Sequence, residues 1–420
     1  MSIESKELQD FIKKCVSPNL KHFKDSKFSK TSEMFIEKIF ENIRLGELQY
    51  NKTNFFSRDI DNNYSPKGIH FHLCPDSMKK YIGSMKSIGR FFSFSINNRE
   101  MNVYLIYENE NKSKKKNNWD KYFENAKKKI YIIVYLLQIY SKKKCSQKLT
   151  LYLYLTNIKK TLDECNISNG ICTITQNNAN SAFTFACIKI NEVYIYRKEE
   201  WFKVLTHELI HSFGLEFSGY DSREIDKKVY REIFPIETDL RLFESYTETW
   251  GEILNIIIIV HLSMKDGEPI KKGIKKTELL LQKERMFSMF QASKILCHFG
   301  LTYNNMFERN EEGYNNRHLY KESTPVLSYF IIKNILMFYS NEFLEWCFET
   351  NEGSLDFKKT TNIILKENIY EFIKFIKQYH NRDEFIHSMN EMRSWFFKKD
   401  NVCNKNDAFI KTLRMSLLEY

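Results

Sequence analysis

Apolar residues recur three and four positions apart along some stretches of this chain and alternate with polar ones along others. The two periods divide it into predicted helices and strands. Residues 1–60 read as helical, with Phe35, Ile36, Ile39 and Phe40 on one side of 33–43. The polar stretch 57–67 reads as a loop, and 68–73 alternates as a strand with His70 and His72 on one face. Strand patterns at 91–96 and 101–107 flank Asn97-Asn98-Arg99-Glu100, a hairpin signal. The charged run 108–119 reads as a linker. Beyond it, 122–140 reads as a helix, 149–155 and 192–196 as strands, and 161–170 as a loop. Short strands are expected at 172–175 and 183–189. From 270 onward the pattern is mainly helical, at 275–298, 324–339, 363–379, 382–397 and 407–418. No repeat of solenoid period is present.

Two predicted helices carry polar groups that their apolar surroundings do not explain. In 199–217, no Gly or Pro interrupts Trp201 to Phe213. Phe202, Leu205, Leu209, Ile210 and Phe213 form a side that can be buried, and Gly214 is placed to end the helix. Glu199 and Glu200 stand where a first turn favours negative charge. Within this helix His207-Glu208-Leu209-Ile210-His211 is an H-E-x-x-H. Positions i and i+4 share a face, so both imidazoles can reach one ion, with Glu208 beside them to accept a proton from water. In 239–264 the later half is almost wholly apolar, yet Glu244, Glu248, Gly251 or Glu252, and Asn255 run along one stripe. Such a stripe is costly to bury without partners, and a metal with the outer nitrogens of its histidines would supply them.

A catalytic zinc takes three protein ligands and keeps one position open. The run HELIHSFGLEF resembles the metzincin pattern as far as Gly214, but Phe217 occupies the third-histidine position, and Glu216, one residue short of it, is a weak substitute. Glu244-Ser-Tyr-Thr-Glu248 resembles the E-x-x-x-D of gluzincin metallopeptidases, with Glu in place of Asp at its end. That resemblance implies Zn²⁺ held by His207, His211 and Glu244, with Glu248 orienting a ligand histidine. Glu248 remains the alternative third ligand. Residues 176–217, with NNANSAFTFA and IYRKEEWFKVLTHELIH, also resemble metallopeptidase-like proteins of large DNA viruses. That likeness implies a zincin fold and, for location, a viral factory or virion.

The expected fold class is therefore α+β. A zincin-like catalytic core (119–265) would hold a small mixed sheet, the motif helix and the glutamate helix. An N-terminal α+β region (1–118) and a helical C-terminal subdomain (266–420) would flank it. The strand before the motif helix suggests a peptide or protein substrate that adds to the sheet edge by main-chain hydrogen bonds. The expected activity is zinc-dependent peptide hydrolysis with Glu208 as general base. His318, Tyr320 and Tyr329 are candidates to stabilise an oxyanion. A zinc-binding structural or virion-associated protein without turnover is the alternative. A third reading, a basic nucleic-acid-binding protein with an incidental motif, rests on the net charge of +11 and on lysine clusters at 112–116, 127–129 and 142–144. Without an Arg-rich or aromatic-interleaved module, these clusters read as solvated loops. The nine cysteines include no C-x-x-C and do not cluster, which suits reduced thiols in the cytoplasm. The N-terminal decapeptide lacks the pattern of a signal peptide, and the longest apolar runs are too short to span a bilayer.

Overall fold

The computed structural model describes residues 2–61, 66–109, 116–162, 173–398 and 407–419. Half of the expected linker at 108–119 and most of the loop at 161–170 lie outside the described residues, as do Cys165, Cys172 and Cys403. The architecture is α+β. Among the described residues, six strands form one mixed sheet: β1 (Phe56–Ile60), β2 (Ser87–Ile96), β3 (Arg99–Glu108), β4 (Lys148–Leu155), β5 (Ala182–Thr184) and β6 (Ile190–Ile195), in the order β1-β2-β3-β4-β6-β5. β3, β4 and β6 run parallel, and the strands at both ends pair antiparallel. The sheet thus crosses the expected 118/119 boundary, and one buried cluster runs from Leu8 to Leu418.

The alternation that marks the strands also sorts their faces. In β4, Leu149, Leu151, Leu153 and Leu155 join the main core. Tyr152 and Tyr154 join a smaller cluster on the other face with Phe71, Cys74, Met78 and Ile82. The β2–β3 hairpin closes through Asn97 and Asn98, both at positive φ (46° and 64°), the backbone that a two-residue turn needs. The inner face is covered by the helix Lys116–Gln138 and by the motif helix, Trp201–Ser212. The glutamate helix, Leu242–Ser263, packs on the motif helix, and Ile270–His298 packs on the glutamate helix.

Several expectations are corrected. Part of the loop expected at 57–67 is strand β1. It is an exposed edge held by main-chain pairing to β2, so it needs no apolar alternation. The strand expected at 68–73 is a 3₁₀ turn, Phe71–Leu73, because Glu192 takes the main-chain N–H of Ile69 and of His70. In the strand expected at 172–175, Ile174 makes only an isolated bridge with Glu322. The strand expected at 183–189 shortens to β5. The helix expected at 407–418 is confined to Asp407–Lys411, and the chain then runs through the core as an irregular, buried segment. Its amides are claimed by buried acids: Leu417 and Leu418 donate to Glu284, and Met415 and Ser416 to Glu200.

Cys145 and Cys187 are joined in a disulfide, and Cys15 is also disulfide-bonded, which corrects the expectation of reduced thiols throughout. Cys74, Cys297 and Cys347 are free. The pair is 42 residues apart, so no local spacing announces it. It ties the approach to β4 to the approach to β6 at the end of the motif helix. Gly214 lies there with φ +66°, and a Cβ on it would come within 2.8 Å of the Cys187 Cβ. No helix among the described residues is long and apolar enough to cross a membrane.

Candidate metal centre

The motif helix leaves β6 after a short connection anchored by buried charge. Glu200, its N-cap, has φ +57° and is fully buried. Its Oε2 lies 2.5 Å from Lys160 Nζ, and its Oε1 accepts from Met415 N at 2.8 Å and from Ser416 N. Burial alone would raise this carboxyl, but Lys160, Lys203 and Arg414 outweigh it and hold it at about 2. Glu199 Oε2 takes the Lys160 amide at 2.9 Å. Both acids, placed by sequence where a first turn favours negative charge, are thus buried structural anchors at the helix start. The glutamate helix starts in the same way, from Arg241 at φ +45°. It crosses the motif helix at Gly251, which packs on His207: a Cβ there would meet His207 Cβ at 3.4 Å and its Cα and N at 3.7 Å, ordinary van der Waals contact.

That crossing brings three donor atoms together. His207 Nε2 and His211 Nε2 are 3.1 Å apart, and each is 3.2 Å from Glu244 Oε2. Among the described residues this is the group of His, Cys, Asp and Glu whose donors converge closely enough to hold a metal ion. The second pair considered in sequence, His70 and His72, does not form such a group. Its His70 Nδ1 instead lies 2.8 Å from Glu192 Oε2.

The outer ring nitrogens decide what the inner ones can do. His211 Nδ1 lies 3.3 Å from Glu216 Oε1. His207 Nδ1 lies 2.9 Å from Glu248 Oε2, bent off the ideal hydrogen-bond line. A neutral imidazole carries one proton, and a facing carboxylate draws it to Nδ1. Both Nε2 lone pairs then converge on each other and on a carboxylate oxygen, an arrangement that repels itself unless a cation sits among them. The triangle has the right size. Zinc bonds of about 2.0–2.1 Å in a tetrahedral site imply ligand edges of roughly 3.3 Å.

Charge around the triangle follows the same plan. Burial would raise the Glu244 carboxyl, but the facing His211 and His207 hold it at about 2. Burial would likewise raise Glu248. Lys203 and His207 outweigh it and keep Glu248 well below the usual carboxylate range. Lys203, one turn before His207 on the motif helix, pairs with Glu248 Oε1. Glu248 is therefore bound on both oxygens, by Lys203 and by His207, and only Glu244 among the two acids points at both Nε2 atoms. Further along the stripe, Glu252 pairs with Lys333 at 2.7 Å, and Asn255 donates to Leu418 O at 3.1 Å. Glu252 is raised to about 8 by burial, against the pull of Lys333.

Glu208 is not one of the three converging donors and lines a narrow cleft beside them, together with Tyr329, Asn180 and Ser181. Burial pushes the Glu208 carboxyl up, although His207 and His211 pull the other way. Of the three oxyanion candidates only Tyr329 reaches this cleft, its ring 6.2 Å from that of His207. His318 and Tyr320 line a separate surface pocket, and the Tyr320 hydroxyl is given to Glu322 at 2.6 Å. Sequence reasoning weighed Glu216 only as a weak ligand. Its place against His211 depends on the turn at Gly214, which Ser218 N–H and Oγ lock by donating to the Glu216 carboxylate. Lys203 and Lys160 carried no signal in sequence beyond being lysines in apolar surroundings.

This geometry makes a prediction about Glu216. Replacing it with Ala is expected to weaken zinc binding about 10–100-fold, the usual cost of losing a carboxylate behind a ligand histidine. Competition against a chelator measures this. Unchanged affinity would mean that packing against Phe243, whose ring lies 5.8 Å away, holds His211 by itself.

Comparison of the chain with protein-family models, with curated proteins and with solved structures finds no match to it.

Proposed function

We propose that this protein is a zinc-dependent metallopeptidase of gluzincin type, with a zincin-like core. The observation that carries the reading is the triangle of His207 Nε2, His211 Nε2 and Glu244 Oε2 with a carboxylate behind each ring. When bound, the ion supplies Lewis acidity that acidifies a water and polarises a peptide carbonyl. Glu208, facing the cleft, would take a proton from an attacking water and return it to the departing amine. Glu248 and Glu216 hold the two imidazoles in the tautomer that ligates. Tyr329 offers a hydroxyl to the developing oxyanion. Among the described residues β5 pairs with β6 on one side only, and an extended substrate would add at its outer edge. That edge strand follows Asn180 and Ser181, which line the cleft.

A second reading, a zinc-stabilised structural protein, draws support from the same site. The ligands are each 7% exposed and the cleft volume is about 40 Å³, room for a few waters but not for a peptide without some opening. Metal analysis of the purified protein comes first. About one zinc per chain is expected in wild type, with loss in His207→Ala and in Glu244→Ala. Stoichiometric zinc in both variants would place the ion elsewhere. Bound zinc with no hydrolysis of a broad peptide library would favour the structural reading.

A further inference from the structure

The cleft beside Glu208 has an unusual wall. Beside Val204, Ala179, Met415 and Glu248 it is lined by Lys160, Lys203 and Ser181. The two lysine side chains are 1% and 2% exposed, and Ser181 is 5% exposed. A lysine ammonium carries three donors. Among the described residues each of these meets a single carboxylate, Lys160 that of Glu200 and Lys203 that of Glu248. Ser181 Oγ is buried with no hydrogen-bond partner. Donors left over in a buried wall are costly, and each is worth most when an acceptor fills it.

We infer that this wall is a carboxylate-binding subsite, so that the peptide taken beside Glu208 presents a carboxylate there. The inference rests on the peptidase reading above. The wall offers donors from two ammonium groups and a hydroxyl. A carboxylate only accepts, and its bonds to ammonium groups are charge-assisted. A side-chain amide would bring its own N–H₂ against those donors and leave it unmatched. The ion pairs already present explain why two lysines can be buried here without a ligand: Glu200 and Glu248 neutralise them, and only their spare hydrogens await the substrate. Size narrows the choice. About 40 Å³ admits a head-group of two oxygens and excludes an aromatic or branched side chain. Two sources fit that chemistry, a short acidic side chain flanking the scissile bond or the free carboxyl end of the peptide.

The test uses the full-length zinc-loaded Glu208→Gln protein, in which binding is read without turnover, by fluorescence anisotropy of labelled hexapeptides. One set has blocked ends and carries Asp, Asn or Leu at each position in turn. The other lacks acidic residues and carries either a free or an amidated C-terminus. A carboxylate-bearing peptide is expected to bind about tenfold tighter than its amide counterpart, and which set shows the preference identifies the source. Ser181→Ala removes a hydroxyl that supports nothing else and is expected to lower the preference about three- to tenfold. Lys160→Met should abolish it, but strands Glu200, so the serine variant carries the test if that protein does not fold. Equal binding of carboxylate and amide peptides, or no binding of any peptide, overturns the subsite. Parallel assays with wild type separate the two ideas. Hydrolysis without carboxylate preference overturns the subsite alone, whereas carboxylate-selective binding without hydrolysis keeps the subsite and removes the peptidase reading.

Discussion

Glu208→Gln protein is expected to bind zinc as wild type does and to hydrolyse peptides about 10²–10⁴-fold more slowly. The two halves of that result come from different parts of the geometry. Glu208 lies outside the triangle of His207, His211 and Glu244, so the metal keeps its protein donors. It faces the cleft, where a water needs a base, and glutamine has the same shape but cannot take a proton. The loss should fall on kcat more than on KM, because the proton transfer belongs to the transition state. Metal content and steady-state kinetics on one preparation decide the matter. Undiminished turnover would remove Glu208 from the mechanism, and loss of zinc would show it to be a ligand.

The second large effect is on stability. Glu200→Ala should destabilise the fold by about 3–5 kcal/mol, the usual cost of stranding one partner of a buried ion pair. Three groups lose their acceptor at once: the Lys160 ammonium and the amides of Met415 and Ser416. Alanine also keeps the cost of φ +57° without the anchor that offsets it. The lost pairs tie the start of the motif helix to the buried segment after Lys411, so both should loosen together. Denaturant titration of the zinc-free protein isolates the effect, since bound zinc would add stability by mass action. A change under about 1 kcal/mol would mean that water reaches these groups, contrary to their burial.

Much of this site is legible in sequence because it depends on short-range order. H-E-x-x-H predicts two rings on one face, since the period of a helix is set by its own hydrogen bonds. The polar stripe of Glu244, Glu248 and Asn255 on an apolar helix predicts that something buried must meet it, and each of these residues does meet a specific partner. The gluzincin-like spacing puts Glu244 forward, with Glu248 as the alternative, as the acid to join the two rings. The strands β2, β3, β4 and β6 are readable because alternation tracks their two unlike faces.

What failed has a common cause. β1 is an edge whose partners are main-chain groups, so its side chains carry no pattern. The segment after Lys411 has a helical sequence pattern, but its amides are satisfied by Glu200 and Glu284 from far along the chain, and tertiary hydrogen bonds override a weak local preference. Cys145 and Cys187 meet only because parallel strands bring their lead-in segments together.

By itself, then, the sequence determined the two site helices and the donor-bearing residues along their inner faces, because these follow from helical period and side-chain type. Only the tertiary structure decided which carboxylate completes the triangle and which ones stand behind the rings. It alone placed Lys160, Lys203 and Ser181 around one cleft. Those choices depend on how the helices cross at Gly251 and where distant loops return, and contacts between residues far apart in the chain leave no local pattern to read.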